Sequence, residues 1–91
     1  MGDVAGDTAV LALRGATKFL KSASWLYAGN AAGATGAIVM ADSAVFTNGG
    51  QGIYVGNSGI GSLTMQGNSR IQLSPQWLWL GNNAGSTGTM V

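Results

Sequence analysis

Between Ile53 and Leu73 the chain reads IYVGNSGIGSLTMQGNSRIQL, and its apolar residues recur at a spacing of two: Ile53 and Val55, Leu63 and Met65, Ile71 and Leu73. A spacing of two puts each pair on one face of a short strand. The Gly-Asn pairs and the glycine-rich turn between the segments are where such a chain changes direction. Three short strands joined by tight corners form one coil of a solenoid.

The same pattern recurs on both sides of this stretch. Residues 9–30 lie without a gap on residues 61–82: Leu11 falls on Leu63, Gly15 on Gly67, Ser22 on Ser74, Trp25 on Trp77, Leu26 on Leu78, Gly29 on Gly81 and Asn30 on Asn82. An intermediate copy halves the offset of 52. Leu26–Asn30 corresponds to Ile53–Asn57 and then to Leu78–Asn82, at spacings of 27 and 25. Repeats of this length, each too small to bury a face alone, stack on their neighbours. The expectation is an all-β parallel β-helix (β-solenoid) of about three and a half coils of roughly 26 residues over 9–91, with residues 1–8 as an N-terminal tail or cap. The small differences in coil length are assigned to the turns after Asn30, Asn57 and Asn82.

Alternation divides each coil into three faces. The first stacks Leu26, Ile53 and Leu78 inward with Ala28, Val55 and Leu80, and points Tyr27, Tyr54 and Trp79 outward. The second stacks Leu11 and Leu13, Ile38 and Met40, Leu63 and Met65, then Met90. The third is read as Phe19, Val45 with Thr47, and Ile71 with Leu73. Gly29, Gly56, Gly81, Gly15 and Gly67 stand where corners need positive φ. Asn30, Asn57 and Asn82 follow three of them as residues that tolerate the left-handed region and whose amides can bond from coil to coil. Pro75 falls in a corner, where no ladder donor is lost. One stretch also reads differently: Ala9–Tyr27 is rich in Ala, Leu and Lys, so propensity allows a helical or irregular cap there.

Composition removes several classes of function. With no Cys and no His among 91 residues there is no disulfide, no thiol chemistry and no His-based acid/base or zinc site. Four basic and three acidic residues give a net charge of +1, too little to attract nucleic acid or anionic lipid at long range. Arg14, Lys18 and Lys21 cluster early, as solubilising charges on an end coil. The same charges interrupt the apolar run Ala9–Ala28 and rule it out as a bilayer span. Asp3 and Asp7 stand where a secretory signal carries Lys or Arg, so the expectation is that the segment is not a signal peptide.

The run IYVGNSGIGSLTMQGNS, from Ile53 to Ser69, resembles the passenger repeats of bacterial autotransporter proteins: an apolar strand, a Gly-Asn-Ser-Gly turn, Gly-Ser-Leu-Thr and a Gly-Asn-Ser corner. The resemblance extends more loosely over Trp25–Phe46 and Trp77–Val91. It implies a right-handed parallel β-helix displayed at a cell surface, and therefore an extracellular passenger fragment. A chain expressed alone is instead expected in the cytoplasm.

Candidate chemistry is sparse. Gly59-Ile60-Gly61 and Gly33–Gly36 lack the Lys-Ser/Thr of a phosphate cradle and read as corner glycines. Asp7 and Asp42 fall on different faces and do not make a glycosidase pair. Ser and Thr have no base to activate them. No catalytic, cofactor or metal site is expected. What remains is the outward stripe Tyr27, Tyr54 and Trp79, a stabilising ladder or a surface for a glycan or protein. Two functions follow: a structural module that self-associates end to end into oligomers or filaments, or an adhesin fragment that binds through the stripe.

Overall fold

A computed structural model describes residues 4–21, 25–49, 51–73 and 77–91. These form ten strands: β1 (Thr8–Leu13), β2 (Lys18–Lys21), β3 (Leu26–Ala28), β4 (Thr35–Met40), β5 (Val45–Asn48), β6 (Ile53–Val55), β7 (Ile60–Met65), β8 (Arg70–Leu73), β9 (Leu78–Leu80) and β10 (Thr87–Met90). The fold is all-β, with no helix among the described residues. Every pairing is parallel. The strands fall into three sheets, β1-β4-β7-β10, β2-β5-β8 and β3-β6-β9. The chain thus visits the three sheets in turn and each round adds one strand to each.

Among the described residues of Ala9–Tyr27 there is no helix. The described residues form β1, β2 and the start of β3, because helix stability in a protein comes mostly from tertiary packing rather than propensity, whereas a strand here gains a full ladder from the next round. Thr8 opens β1, and the backbone ahead of it is already paired: Gly6 donates to the Gly33 carbonyl and Thr35 to the Asp7 carbonyl. The ladder also continues around the corners, where Asn57 donates to Gly29, Asn82 to Gly56 and Asn68 to Asp42. These corner backbone groups thus find partners in the neighbouring round.

The first and second rounds are offset by 27 residues, the second and third by 25. The two-residue difference sits in one corner, since six residues join β3 to β4 and four join β6 to β7. The turns after the Gly-Asn pairs thus absorb the change without disturbing any register.

Side chains of like kind stack in the interior. Leu11, Ile38, Leu63 and Met90 share one position, Leu13, Met40 and Met65 a second, and Leu26, Ile53 and Leu78 a third. The largest fully buried side chains are Phe46, Ile38, Met40, Ile53, Leu63, Val55 and Asn48, which all belong to the second and third rounds. The core is deepest where a round is covered on both sides. Full burial of each large apolar side chain contributes on the order of 1.5–3 kcal/mol.

The third sheet face differs from the sequence reading by one residue. Phe46 and Asn48 point inward, Phe46 stacked on Phe19 at 4.9 Å, while Val45 and Thr47 are half-buried on the other side. Val45 and Phe46 are adjacent and both apolar, so alternation does not choose between them. A one-residue slip exchanges the two faces of a strand, and the larger ring takes the interior position between Phe19 and Ile71.

Candidate functional site

The Gly-Asn corners are built from two kinds of contact. Gly29, Gly56 and Gly81 have φ of 71°, 81° and 71°, so the glycine of each pair carries the left-handed conformation and the asparagine does not. At Gly29 and Gly56 no side chain would fit in any case: a Cβ there would lie 2.1 Å from the carbonyl oxygens of Ile60 and Thr87 respectively. The asparagines use their amides instead. Asn57 Nδ2 donates to Asn30 Oδ1 at 2.7 Å, and Asn82 Nδ2 to Asn57 Oδ1 at 2.8 Å. One hydrogen-bonded line of amides therefore crosses all three rounds.

A second corner holds Gly15, Asp42 and Gly67 at the same place in successive rounds. Gly15 and Gly67 both have φ of 65°, and Asp42 has φ of 59°. Asp42 is the only non-glycine residue with positive φ among those described. Its carboxylate makes a local use of the conformation, since Oδ2 accepts the Gly15 N–H at 3.0 Å.

The outward stripe is a stack of rings. Tyr27 and Tyr54 lie 5.1 Å apart and 8° from parallel, and Tyr54 and Trp79 lie 5.8 Å apart at 26°. Trp25 leans on Tyr54 at 5.2 Å and Trp77 meets Trp79 edge-on at 6.5 Å. Gly52 makes room for this: a Cβ there would lie 3.0 Å from the Trp25 ring and 2.9 Å from the Trp77 carbonyl oxygen. Tyr54, the middle ring, is stacked on both Tyr27 and Trp79. Trp79, like Trp25 and Trp77, is exposed.

A further column escapes the sequence pattern. Gly36, Gly61 and Gly88 occupy one register position of the first sheet, with Ala9 preceding them in β1. Each lies against the backbone of a Gly-Asn corner: a Cβ would fall 2.3 Å from Gly29 N at Gly36, 2.1 Å from Gly56 N at Gly61 and 2.5 Å from Gly81 N at Gly88. Corner glycine and strand glycine thus meet face to face at each of the three Gly-Asn corners. The signal was available as a glycine at the second position of three aligned strands.

The remaining candidates do not converge. Asp7 precedes β1 and Asp42 lies between β4 and β5. Among the described residues there is no pocket and no group of three or more His, Cys, Asp or Glu side chains able to hold a metal ion, and no helix is long and apolar enough to cross a membrane. Asp3, Ser22, Ser74 and Pro75 lie outside the described residues, as does the side chain of Lys21. No family model, curated protein or solved structure matches the chain.

Two surfaces stand out from the rest. At one end of the stack β8, β9 and β10 are edge strands, and at the other β1, β2 and β3 are. Met90 is 50% exposed where Leu63, its counterpart one round earlier, is fully buried. Leu80 is 45% exposed where Val55 is fully buried. At the opposite end Leu11, Phe19 and Leu26 are only half covered.

Proposed function

We propose that the chain is a β-solenoid module that associates end to end with copies of itself and has a structural rather than catalytic role. The observation that carries this reading is the pair of end faces. Each offers strand edges that have no neighbour among the described residues, and apolar side chains in the register that the interior uses, with Leu78 and Met90 at one end and Leu26 and Leu11 at the other. Open edges of this kind template further strands. Because the two faces differ, their contact is head-to-tail and does not close, so it extends into filaments.

The passenger-type repeat from Ile53 to Ser69 belongs to the same proposal, as the source of a right-handed coil and of display at a cell surface. The ring stack supports a structural use of the stripe, since Tyr54 has its faces occupied by Tyr27 and Trp79. A glycan-binding adhesin would need those faces for sugar rings.

Electron microscopy and sedimentation of the 91-residue chain test the reading. Filaments that lengthen with concentration and diffract at about 4.8 Å along the axis are expected. A single species of 9.1 kDa at every concentration would rule it out, and glycan retention lost on Tyr54→Ala would then favour the adhesin.

A further inference from the structure

Asparagine stands at positions 30, 48, 57, 68, 82 and 83, and only Asn48 is followed by glycine. Among the described residues Asn48 is also the one fully buried polar side chain, whereas the other asparagines are all partly or fully exposed. The most labile asparagine by sequence is thus the best covered in the fold.

An Asn-Gly pair is labile because glycine has no Cβ to keep its nitrogen away from the preceding side chain. The Gly49 nitrogen attacks Asn48 Cγ, and Nδ2 departs with the Gly49 amide proton as ammonia, leaving a five-membered succinimide. Water then opens the ring. Cleavage at Cγ gives aspartate at position 48, and cleavage at the backbone carbonyl gives its β-linked isomer.

In the folded chain the reacting groups are held apart. Asn48 ends β5 in register with Lys21 on one side and Leu73 on the other, and that ladder keeps its backbone extended, whereas ring closure needs it to rotate. Nδ2 donates to Gln51 O at 2.6 Å, and the side chain is 0% exposed. Neither water nor a departing ammonia has a path to it. Gly49 alone of the pair is exposed.

We propose that Asn48-Gly49 is a modification site that the fold keeps closed, and that a chain held open deamidates there and no longer refolds. A carboxylate at position 48 removes the donor to Gln51 O and sets a charge against that carbonyl oxygen in the interior. The β-linked isomer adds a backbone atom ahead of β6, whose register with β3 and β9 leaves no room for a slip. Unfolding is therefore reversible at first and becomes irreversible with time.

Peptide mapping by mass spectrometry tests this on the full chain, incubated folded and in urea at mildly alkaline pH, beside a synthetic peptide of residues 45–51. In urea, position 48 is expected to deamidate at the rate of the peptide and ahead of the other asparagines. In the folded chain the reaction waits on opening and is expected to be at least about a hundredfold slower. After removal of urea, the fraction that fails to refold by circular dichroism should equal the fraction modified at position 48. A chain held as long in mildly acidic urea, where the Gly49 amide keeps its proton, should refold fully. Asn48→Asp is expected to lower the melting temperature by about 10 °C or more, or to leave the chain unfolded. A folded chain modified at position 48 as fast as the peptide overturns the closed site. Chains carrying aspartate there that refold with the wild-type melting temperature overturn the loss of refolding.

Discussion

Lys18 and Arg70 stand in register two strands apart in the second sheet, with Val45 between them. Both are exposed and about 10 Å from each other, near one screening length in ordinary salt. Within one chain their repulsion is slight. In the proposed end-to-end stack, Lys18 of the next copy follows Arg70 directly.

Like charges directly opposite one another in a sheet oppose pairing by about 0.2–1 kcal/mol. Assembly is therefore expected to be promoted by salt. Lys18→Glu converts the junction into an attractive pair and lowers the concentration needed for assembly by up to about fivefold at low ionic strength. Light scattering across a salt series checks it, and equal salt dependence in both proteins would mean that these side chains do not meet.

Ile53 is 1% exposed and sits between Leu26 and Leu78. Ile53→Asp places an unpaired charge at the centre of three stacked rounds. The penalty of several kcal/mol rivals the whole stability of a small domain, so the expected outcome is an unfolded chain by circular dichroism. A cooperative transition at the wild-type temperature would show that the inward register of β6 is wrong.

Gly61 has no space for a methyl group, because the nearest atom to its Cβ position is Gly56 N at 2.1 Å and the next is Val55 C at 2.6 Å. Gly61→Ala is expected to destabilise the chain by about 1–3 kcal/mol or more through forced backbone movement. Ala9→Gly, at the member of the same column that already carries a methyl group, is expected to change stability by less than about 1 kcal/mol. Urea unfolding of the two variants separates a packing effect from a general effect of side-chain size.

Ser69 carries a buried hydroxyl oxygen with no hydrogen-bond partner. One round earlier the corresponding place is held by Ala44, which is fully buried. Ser69→Ala removes an unsatisfied polar atom without leaving more than a small void. The expected change is an increase in stability of about 1 kcal/mol; a clear decrease in melting temperature would mean that the hydroxyl has a partner in solution.

The alternating segments, the first two of their three faces and the spacings of 27 and 25 were legible in the sequence because each is a local property repeated along the chain. Side-chain direction in a strand depends only on parity, and a corner glycine is visible wherever the parity is interrupted. The alignment of Tyr27, Tyr54 and Trp79 and of Asn30, Asn57 and Asn82 follows from that repeat. Their contacts do not. The face-to-face stacking of the rings, and the contacts of Trp25 and Trp77 with them, belong to the tertiary structure.

The tertiary structure decided what local patterns leave degenerate. Local propensity favoured a helix over Ala9–Tyr27, and stacking on β4, β5 and β6 made it three strands. The choice of Phe46 over Val45 for the interior came from Phe19 and Ile71 on the neighbouring strands, since two adjacent apolar residues carry no parity of their own. Gly36, Gly61 and Gly88 look in the sequence like any other glycines of a glycine-rich chain. Their requirement appears only once each is set against a corner glycine five to seven residues away in the chain and in van der Waals contact in space. Close approach of two backbones is a property of packing, and a sequence records only the missing side chain that permits it.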